Sequence, residues 1–366
     1  MIAVHIGLAK CGSAAVQEFL SANARALREM GIDYPAVGRS PGKAHHSIAR
    51  EACKAGKRTG AAPGMEELGR HRRRTQAPNM AISSEVFERA TSEGIIRLKN
   101  ALSGDSFVII VFVRELQDVM VSSYAQKVRY GLHVYDFDQF FHARVQDGRT
   151  NFFATVSRWA AVFGWENVRV RLLDPYHLLN GNVFDDILAI LGVSSLQPPS
   201  SRLQQPGKVN VSSGWKVLEA IRGLYSGAHG LPPDHPLLLA TSRYGGLLHD
   251  GCHRNSLHRR TIKGWQKIGN LAARLGETRG WNDERGHYLT REQAQKCIDL
   301  YRQAIVALNA HLETPLPLPL DLEARYFVER DYLPDWSRIP AHELRTFYDE
   351  LGDFALNGAP LGLRTV

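Results

Sequence analysis

The sequence predicts an α/β fold in which a central parallel β-sheet is flanked by helices, followed by a mainly helical C-terminal region. Over about the first 200 residues, short apolar segments alternate with amphipathic ones, as in a parallel sheet with helices on both faces. The segment 107–113 has seven apolar residues in a row, which is typical of a strand buried on both faces. Beyond about residue 205 the pattern becomes helical and irregular.

The individual elements are predicted from apolar spacing and from the glycines that follow them. An apolar strand at 2–8 opens the chain, and a glycine-containing turn leads into one amphipathic helix from about residue 14 to 30. The stretch 36–78 is poor in large apolar residues, so we expect an irregular or short-helical insertion there. The further predicted strands cover 80–83, 107–113 and 168–173, and the further predicted helices cover 117–129, 150–163, 183–191 and 289–312.

The predicted domain organisation is one large domain and one extension. The large domain covers 1–310, with a cofactor-binding core at about 1–200 and an acceptor-side helical part at about 201–310. Prolines at 315, 317 and 319 form a stiff linker into a helical C-terminal extension at 311–366.

Composition indicates a globular protein with a large core. The chain has 366 residues, of which 44% are hydrophobic and 22% are charged. Its four cysteines lie far apart without a CxxC pair, which argues against a structural zinc site or a disulfide framework and fits a reducing compartment. Because no targeting segment is visible and no stretch approaches the ~18 apolar residues of a membrane helix, we expect a cytoplasmic protein without a membrane span.

A formal net charge of +8 favours anionic partners. Part of the excess lies in one basic run, Arg70 to Arg74. No aromatic residues interleave with this run, as stacking on nucleic-acid bases would require. We therefore interpret it as a solvated face and expect no nucleic-acid partner.

The segment from His5 to Ala14 joins a buried strand to a helix, which is a common anion-binding place in a parallel sheet. The first N–H groups of the helix are free, and its N-terminus carries partial positive charge. Gly12 lets the backbone approach a ligand closely, Lys10 adds a full charge, and Ser13 adds a hydroxyl. The spacing is not that of a Walker A loop, where Ser or Thr directly follows the Lys. An ordinary turn with an exposed lysine is the alternative.

A second candidate anion site follows the strand at 107–113. Arg114 stands where this strand runs into the next helix, and its planar guanidinium suits a phosphate. Ser122, eight residues further on, could support a second oxygen. The alternative is that Arg114 only pairs with Asp118. Taken together, two anion sites at strand ends suit a ligand with phosphates at both ends.

These residues resemble the two cofactor motifs of the family of sulfotransferases that use 3′-phosphoadenosine 5′-phosphosulfate (PAPS), most closely its bacterial members. The family's first motif, close to Pro-Lys-x-Gly-[Thr/Ser]-[Thr/Ser], binds the 5′-phosphosulfate, and its second, an Arg and a Ser eight residues on, binds the 3′-phosphate. The resemblance covers about residues 2–215. It implies a P-loop-like fold, PAPS as co-substrate and adenosine 3′,5′-bisphosphate (PAP) as product. The cofactor-binding residues it implies are Lys10, Cys11, Gly12, Ser13, Ala14, Arg114 and Ser122.

The first motif also departs from the family pattern. Ala9 stands where Pro is usual, Ala14 replaces a second hydroxyl, and Cys11 occupies a position where a hydroxyl is frequent. Fewer side-chain donors remain for the 5′-phosphate, so reduced cofactor affinity or an inactive homologue stay open. We expect a thiol in such a loop to have a lowered pKa. By resemblance, the retained Lys10 stabilises the leaving group or the sulfuryl oxygens.

An acceptor hydroxyl also needs a general base. Family members use a His or Glu near the end of the strand between the two motifs, which makes Glu85 the candidate catalytic residue beside Lys10. The alternative for Glu85 is a helix-capping role, because it follows two serines. His45 and His46 are the rival bases, although paired histidines in a loop are more often simply exposed.

The predicted function is sulfuryl transfer from PAPS to a hydroxyl or amine of a carbohydrate, glycolipid or small natural-product acceptor, without a metal. A P-loop kinase or nucleotide hydrolase is one alternative, which predicts a Walker Lys-Ser/Thr pair and an Mg²⁺-binding Asp. A non-catalytic polyanion-binding protein is the other, which predicts strong salt dependence. A homodimer stays open, since aromatic residues of the C-terminal extension could line a dimer contact or a pocket.

Overall fold

The computed structural model describes residues 1–39, 42–54, 62–148, 150–193, 203–206, 213–227, 230–242, 259–284, 286–319, 327–329 and 333–357. The strands are β1 Ile2–His5, β2 Ile32–Asp33, β3 Asn79–Ser83, β4 Phe107–Val113 and β5 Val168–Leu172. The helices are α1 Ser13–Ala22, α2 Ala24–Glu29, α3 His46–Ala52, α4 Pro63–Arg74, α5 Ser92–Ala101, α6 Leu116–Arg129, α7 Phe137–Gln146, α8 Phe152–Phe163, α9 Val183–Ile190, α10 Trp215–Tyr225, α11 Pro236–Ser242, α12 Arg259–Thr278, α13 Arg291–Asn309 and α14 Ala341–Asn357.

The five strands form one parallel sheet in the order β2-β3-β1-β4-β5. β1 lies in the centre, with β3 on one side and β4 on the other. Because all strands run in the same direction, their carboxyl ends meet at one edge of the sheet. The predicted α/β fold with a central parallel sheet is therefore confirmed.

The sheet is buried on both faces, as the apolar run of β4 predicts. Every β4 residue after Phe107 is buried. On one face, Ala3, Ile110 and Phe112 belong to a core cluster with residues of α1 and α9. On the other face α8 packs against β4 and β5. The observed β4 has the predicted bounds, and both faces are covered by helices.

The predicted single helix from about residue 14 to 30 is wrong, because the chain forms two helices that meet at Asn23. The Asn23 side chain donates to the carbonyls of Phe19 at 2.8 Å and Gln204 at 2.9 Å. A short amide side chain competes in this way with the backbone bonds of a continuing helix. The break reflects a tertiary contact that apolar spacing does not contain.

The insertion at 36–78 contains two short helices, α3 and α4, in agreement with the short-helical alternative. The carboxylate of Glu51, at the C-terminal side of α3, accepts hydrogen bonds from the backbone N–H groups of Gly64 and Met65. This acid satisfies free donors at the start of α4, as a capping side chain does. The two-residue strand β2 and the helices α5 and α7 were missing from the prediction.

The chain divides into two compact units. The first consists of Met1–Val119, Thr150–Val209 and Asp299–Leu320, and the second of Met120–Arg149, Asn210–Ile298 and Asp321–Val366. The first unit contains the sheet. The division of the chain near residue 310 stays a prediction.

Two residues of the basic run at the end of α4 contact acidic side chains within the first unit. His71 contacts the buried Asp33 at 2.5 Å, and Arg72 makes a two-pronged ion pair with Asp105. Arg70, Arg73 and Arg74 are exposed at the helix C-terminus, where positive charge is favourable.

Two further sequence expectations can be compared with the described part of the chain. No helix there is long and apolar enough to cross a membrane. Cys11, Cys53 and Cys297 are free thiols, while Cys252 lies outside the described residues.

Candidate anion-binding site

The candidate site lies at the carboxyl edge of the sheet, within the first unit. β1 ends at His5 and leads through a loop, residues 6–12, into α1. This loop, which contains Lys10, is called the lysine loop below. β3 is followed by Glu85 and β4 by Arg114. Since β3 and β4 are the two neighbours of β1, the topology brings these three elements to one place.

The lysine loop has a backbone shaped for close approach of a ligand. Gly12 caps α1 in a left-handed conformation, with φ at 75° and no side-chain cap. Lys10 is also left-handed, with φ at 68°, which is uncommon for a residue other than glycine. Among the described residues, the N–H groups of Gly12, Ser13 and Ala14 have no hydrogen-bond acceptor. An anion at the start of α1 would satisfy these donors.

Hydrogen bonds to the sheet and across the loop maintain this shape. The N–H of Leu8 donates to the carbonyl of Phe112 on β4 at 3.0 Å, and the N–H of Cys11 donates back to Leu8 at 3.2 Å. The Ser13 hydroxyl also donates to the Leu8 carbonyl, at 2.9 Å. The hydroxyl expected to contact a ligand therefore closes the loop in this structure.

The expectation of a lowered pKa for Cys11 is wrong. The Cys11 side chain is buried in the core of the first unit. Burial raises the pKa of its thiol to about 12, because the nearby positive charge of Arg114 does not offset the loss of solvation. Cys11 therefore fills space beneath the loop as a neutral thiol.

Arg114 lies directly after β4, two residues beyond the Phe112 carbonyl that accepts from the lysine loop. Its guanidinium contacts Asp118 at 2.7 Å, and both side chains are about 40% exposed, at 38% and 41%. The ion pair between Arg114 and Asp118, which the sequence offered as the alternative to a phosphate site, is thus present. Exposed pairs of this kind contribute only about 0–1 kcal/mol, so an anionic ligand can replace Asp118 at small cost.

Ser122 lies on α6 and belongs to the second unit, where its side chain is half-buried.

Glu85 begins a short 3-10 helix, Glu85–Arg89, behind the cap residue Ser84. Its carboxylate is not free: Oε2 accepts from the Gln17 amide at 2.8 Å, and Oε1 lies 4.0 Å from Nε2 of His46. A Cβ added to Gly7 would lie 3.2 Å from the Cα of Glu85. The lysine loop therefore passes directly against Glu85, and only a glycine fits there at φ 115°.

The two candidate histidines differ from the expectation that paired histidines are exposed. His45 is fully buried, with Nε2 bonded to the Pro35 carbonyl and Nδ1 accepting from the N–H of Ser83. Burial lowers its pKa to about 3, and neither ring nitrogen is available to a substrate. His46 is half-buried, and its Nδ1 bonds Ser84 Oγ at 2.8 Å. Of the two, only His46 faces Glu85.

Two site contacts were missed from the sequence. Gln17 on α1 orients Glu85, and Oε2 of Glu88 accepts a hydrogen bond from the N–H of Ala9 at 3.0 Å. The spacing of Glu85 and Glu88 by three residues was the available signal, since such residues share one face of a short helix. Within the described ranges, no group of three or more His, Cys, Asp or Glu side chains could hold a metal ion.

Comparisons with known proteins add a distant likeness. No family model matches the chain, and no curated protein matches it. A crystal structure of a sulfotransferase from Alicyclobacillus acidocaldarius is similar at 21% identity and a TM-score of 0.37, covering 56% of this chain and 85% of that one. At this degree of similarity, the function has to be inferred from the residues of the chain itself.

Proposed function

We propose that the protein transfers a sulfuryl group from PAPS to a hydroxyl or amine, releasing PAP. The observation that carries this proposal is the lysine loop after β1, with the unpaired N–H groups at the start of α1, next to Arg114 at the end of the adjacent strand β4. Two cationic elements at neighbouring strand ends suit a ligand with anionic groups at two ends. PAPS is such a ligand, with a 5′-phosphosulfate and a 3′-phosphate.

Each cationic element is assigned to one end of the ligand. The N–H groups of Gly12, Ser13 and Ala14, together with Lys10, would bind the 5′-phosphosulfate. Cys11 would contribute backbone only, because its side chain is buried. Arg114 would bind the 3′-phosphate by exchanging Asp118 for it. The part assigned to Ser122 stays a prediction from the resemblance.

The chemistry assigned to the protein is positioning and charge stabilisation. Bound PAPS supplies a sulfuryl group attached to a phosphate leaving group. Lys10 and the N–H groups at the start of α1 stabilise the negative charge on that phosphate as the sulfur–oxygen bond breaks. These donors belong to the protein, so the proposal requires no metal ion.

Glu85 is the proposed general base. It would take the proton of the acceptor hydroxyl or amine as the new bond to sulfur forms. Its contact with Gln17 and its position against Gly7 support this assignment, since they fix a carboxylate next to the lysine loop. His45 is not proposed, because both of its ring nitrogens are engaged in the core.

The acceptor classes stay those predicted from the resemblance: a carbohydrate, a glycolipid or a small natural product. A cytoplasmic location and a homodimer also stay predictions.

The reaction is tested by incubating the protein with PAPS and one acceptor at a time: a phenol, an oligosaccharide or a glycolipid. Chromatography measures the PAP that is released. We expect PAP release above the enzyme-free rate with at least one class. Glu85→Gln should lower that rate about 10²–10⁴-fold while leaving the affinity for PAP within about threefold, because a base acts on the acceptor proton.

Glu93→Gln is the matched control, since Glu93 is an exposed glutamate on α5. Cleavage of ATP to ADP by the wild-type protein, with PAPS left intact under every condition, would contradict the proposal and favour the kinase or hydrolase alternative.

A further inference from the structure

A carboxylate reaches the lysine loop from outside it. Glu88 lies on the 3-10 helix that follows β3, and its Oε2 accepts the backbone N–H of Ala9 at 3.0 Å. The Glu88 side chain is only 20% exposed. Hydrogen bonds to a charged, largely buried acceptor are among the stronger ones in proteins. This single contact ties the end of β3 to the loop that follows β1.

The backbone of Glu88 is held in place by contacts with α8. The Glu88 carbonyl accepts from the guanidinium of Arg158 on α8 at 2.9 Å. The preceding residue, Phe87, is fully buried and packs edge-on against Trp159, with ring centroids 5.6 Å apart. Both anchors hold the Glu88 backbone against α8, so the carboxylate is presented from a fixed position.

The identity of residue 9 explains why such a contact is needed. In the first motif of the family that the chain resembles, proline is usual at this position, and proline fixes φ and carries no N–H. Ala9 leaves φ less restricted and adds a donor next to Lys10. Ala9 is half-buried, and a donor taken out of water without an acceptor costs up to about 1–3 kcal/mol, so an acceptor stabilises a loop with alanine and would not act on one with proline. Glu88 is that partner in the structure.

We propose that Glu88 is a positioning residue that holds the lysine loop in its anion-binding shape, and that it supplies the restraint that a proline at position 9 would otherwise give. This inference rests on the proposed function, since the ligand whose binding depends on the loop is PAP. Glu88 does not contact the ligand in this account. It acts through the N–H of Ala9 on the conformation of Lys10.

Three variants distinguish the effect of the Glu88 acceptor oxygen from the effect of its negative charge. Glu88→Gln keeps an acceptor oxygen and removes the charge, Glu88→Ala removes both, and Ala9→Pro removes the donor. PAP affinity is measured by calorimetry for each variant. We expect Glu88→Gln to bind within about threefold of wild type, and Glu88→Ala to bind about tenfold more weakly. Adding Ala9→Pro to Glu88→Ala should restore affinity to within about threefold.

Hydrogen exchange measured without ligand tests the role of Glu88 in the loop independently of whether the protein binds PAP. Hydrogen exchange of peptides covering residues 6–14 should be faster in Glu88→Ala, near wild type in Glu88→Gln, and slowed again in the double variant. Glu29→Ala, at an exposed glutamate of α2, should change neither exchange in this loop nor affinity.

Two results would overturn the inference. Tighter PAP binding in both Glu88→Gln and Glu88→Ala would show that the carboxylate competes with the ligand. Unchanged exchange and affinity in Glu88→Ala would show that the contact does not shape the loop. If wild type binds no PAP but the exchange pattern follows the prediction, the proposed function fails while the loop restraint stands.

Discussion

At the scale of single residues, two buried histidines next to the candidate site make stability sensitive to acid. His5 ends β1 and bonds Ser83 Oγ through Nδ1 at 2.7 Å, while His45 accepts from the N–H of the same Ser83. Burial lowers the pKa of His5 to about 4 and that of His45 to about 3. Both histidines are neutral in the folded protein and become protonated more readily when the chain unfolds.

The folded protein should therefore lose stability as the pH falls below 6.5, the ordinary histidine pKa, toward the folded pKa values. At pH 5 each histidine accounts for a loss of about 2 kcal/mol in the free energy of unfolding. His45→Gln should remove the part of this loss that is due to His45. The difference in the free energy of unfolding between pH 7.5 and pH 5 should therefore be smaller in this variant than in wild type. Urea titrations at the two pH values measure this difference.

His142→Gln is the control for this measurement, since the His142 side chain is 65% exposed. Equal pH dependence in wild type and His45→Gln would show that His45 does not titrate in this range.

The residues of the candidate site were predictable to different degrees. Lys10, Glu85 and Arg114 were recognisable because each lies within a few residues after an apolar strand, and parallel strands bring their carboxyl ends together. The buried thiol of Cys11 and the contact between Ala9 and Glu88 were not predictable, because each depends on a distant part of the chain. The Ser13 hydroxyl bonds Leu8, only five residues earlier, but its direction follows from the folded shape of the loop and not from the residue types.

At the scale of elements, the start of α1 is the part of the fold most closely linked to binding. Gly12 has φ at 75°, and a Cβ added to it would lie 3.3 Å from the Leu173 side chain. Gly12→Ala should lower the free energy of unfolding by about 1 kcal/mol and weaken PAP binding about tenfold, because the N–H groups that follow would shift.

Gly104→Ala is a matched control for this prediction. Gly104 also has a positive φ, 93°, and an added Cβ would meet no atom within 4 Å. It should lower stability by a similar amount without changing PAP affinity. Thermal unfolding and calorimetry measure the two effects, and an equal loss of affinity in both variants would contradict the assignment of Gly12.

Elements with a strong local pattern were predicted well, and those fixed by tertiary contacts were not. β4 has its predicted bounds, because seven apolar residues in a row leave little alternative to a buried strand. β2 has only two residues, which is too short for a detectable pattern. The break between α1 and α2 depends on Asn23 bonding Gln204, which no local window contains.

At the scale of the whole molecule, the first unit holds the lysine loop, Glu85, Glu88 and Arg114. The second unit has its own buried polar cluster, in which Glu219 pairs with Arg222 at 2.7 Å. Burial raises the pKa of Glu219 to about 7, since the positive charge of Arg222 offsets only part of the desolvation. The sequence predicted helices in this region, but not which of their polar residues would be buried.

A calorimetric titration of the protein with PAP, repeated for Lys10→Ala and Arg114→Ala, measures whether the lysine loop and Arg114 bind the two ends of the cofactor. We expect PAP to bind more tightly than AMP or ATP, and each variant to lose about tenfold or more in affinity, because each removes a charged contact to one end of the ligand. Arg25→Ala, at an arginine whose side chain is 97% exposed, should bind like wild type. Absence of PAP binding, or a preference for ATP, would show that the protein is not a PAPS-dependent sulfotransferase.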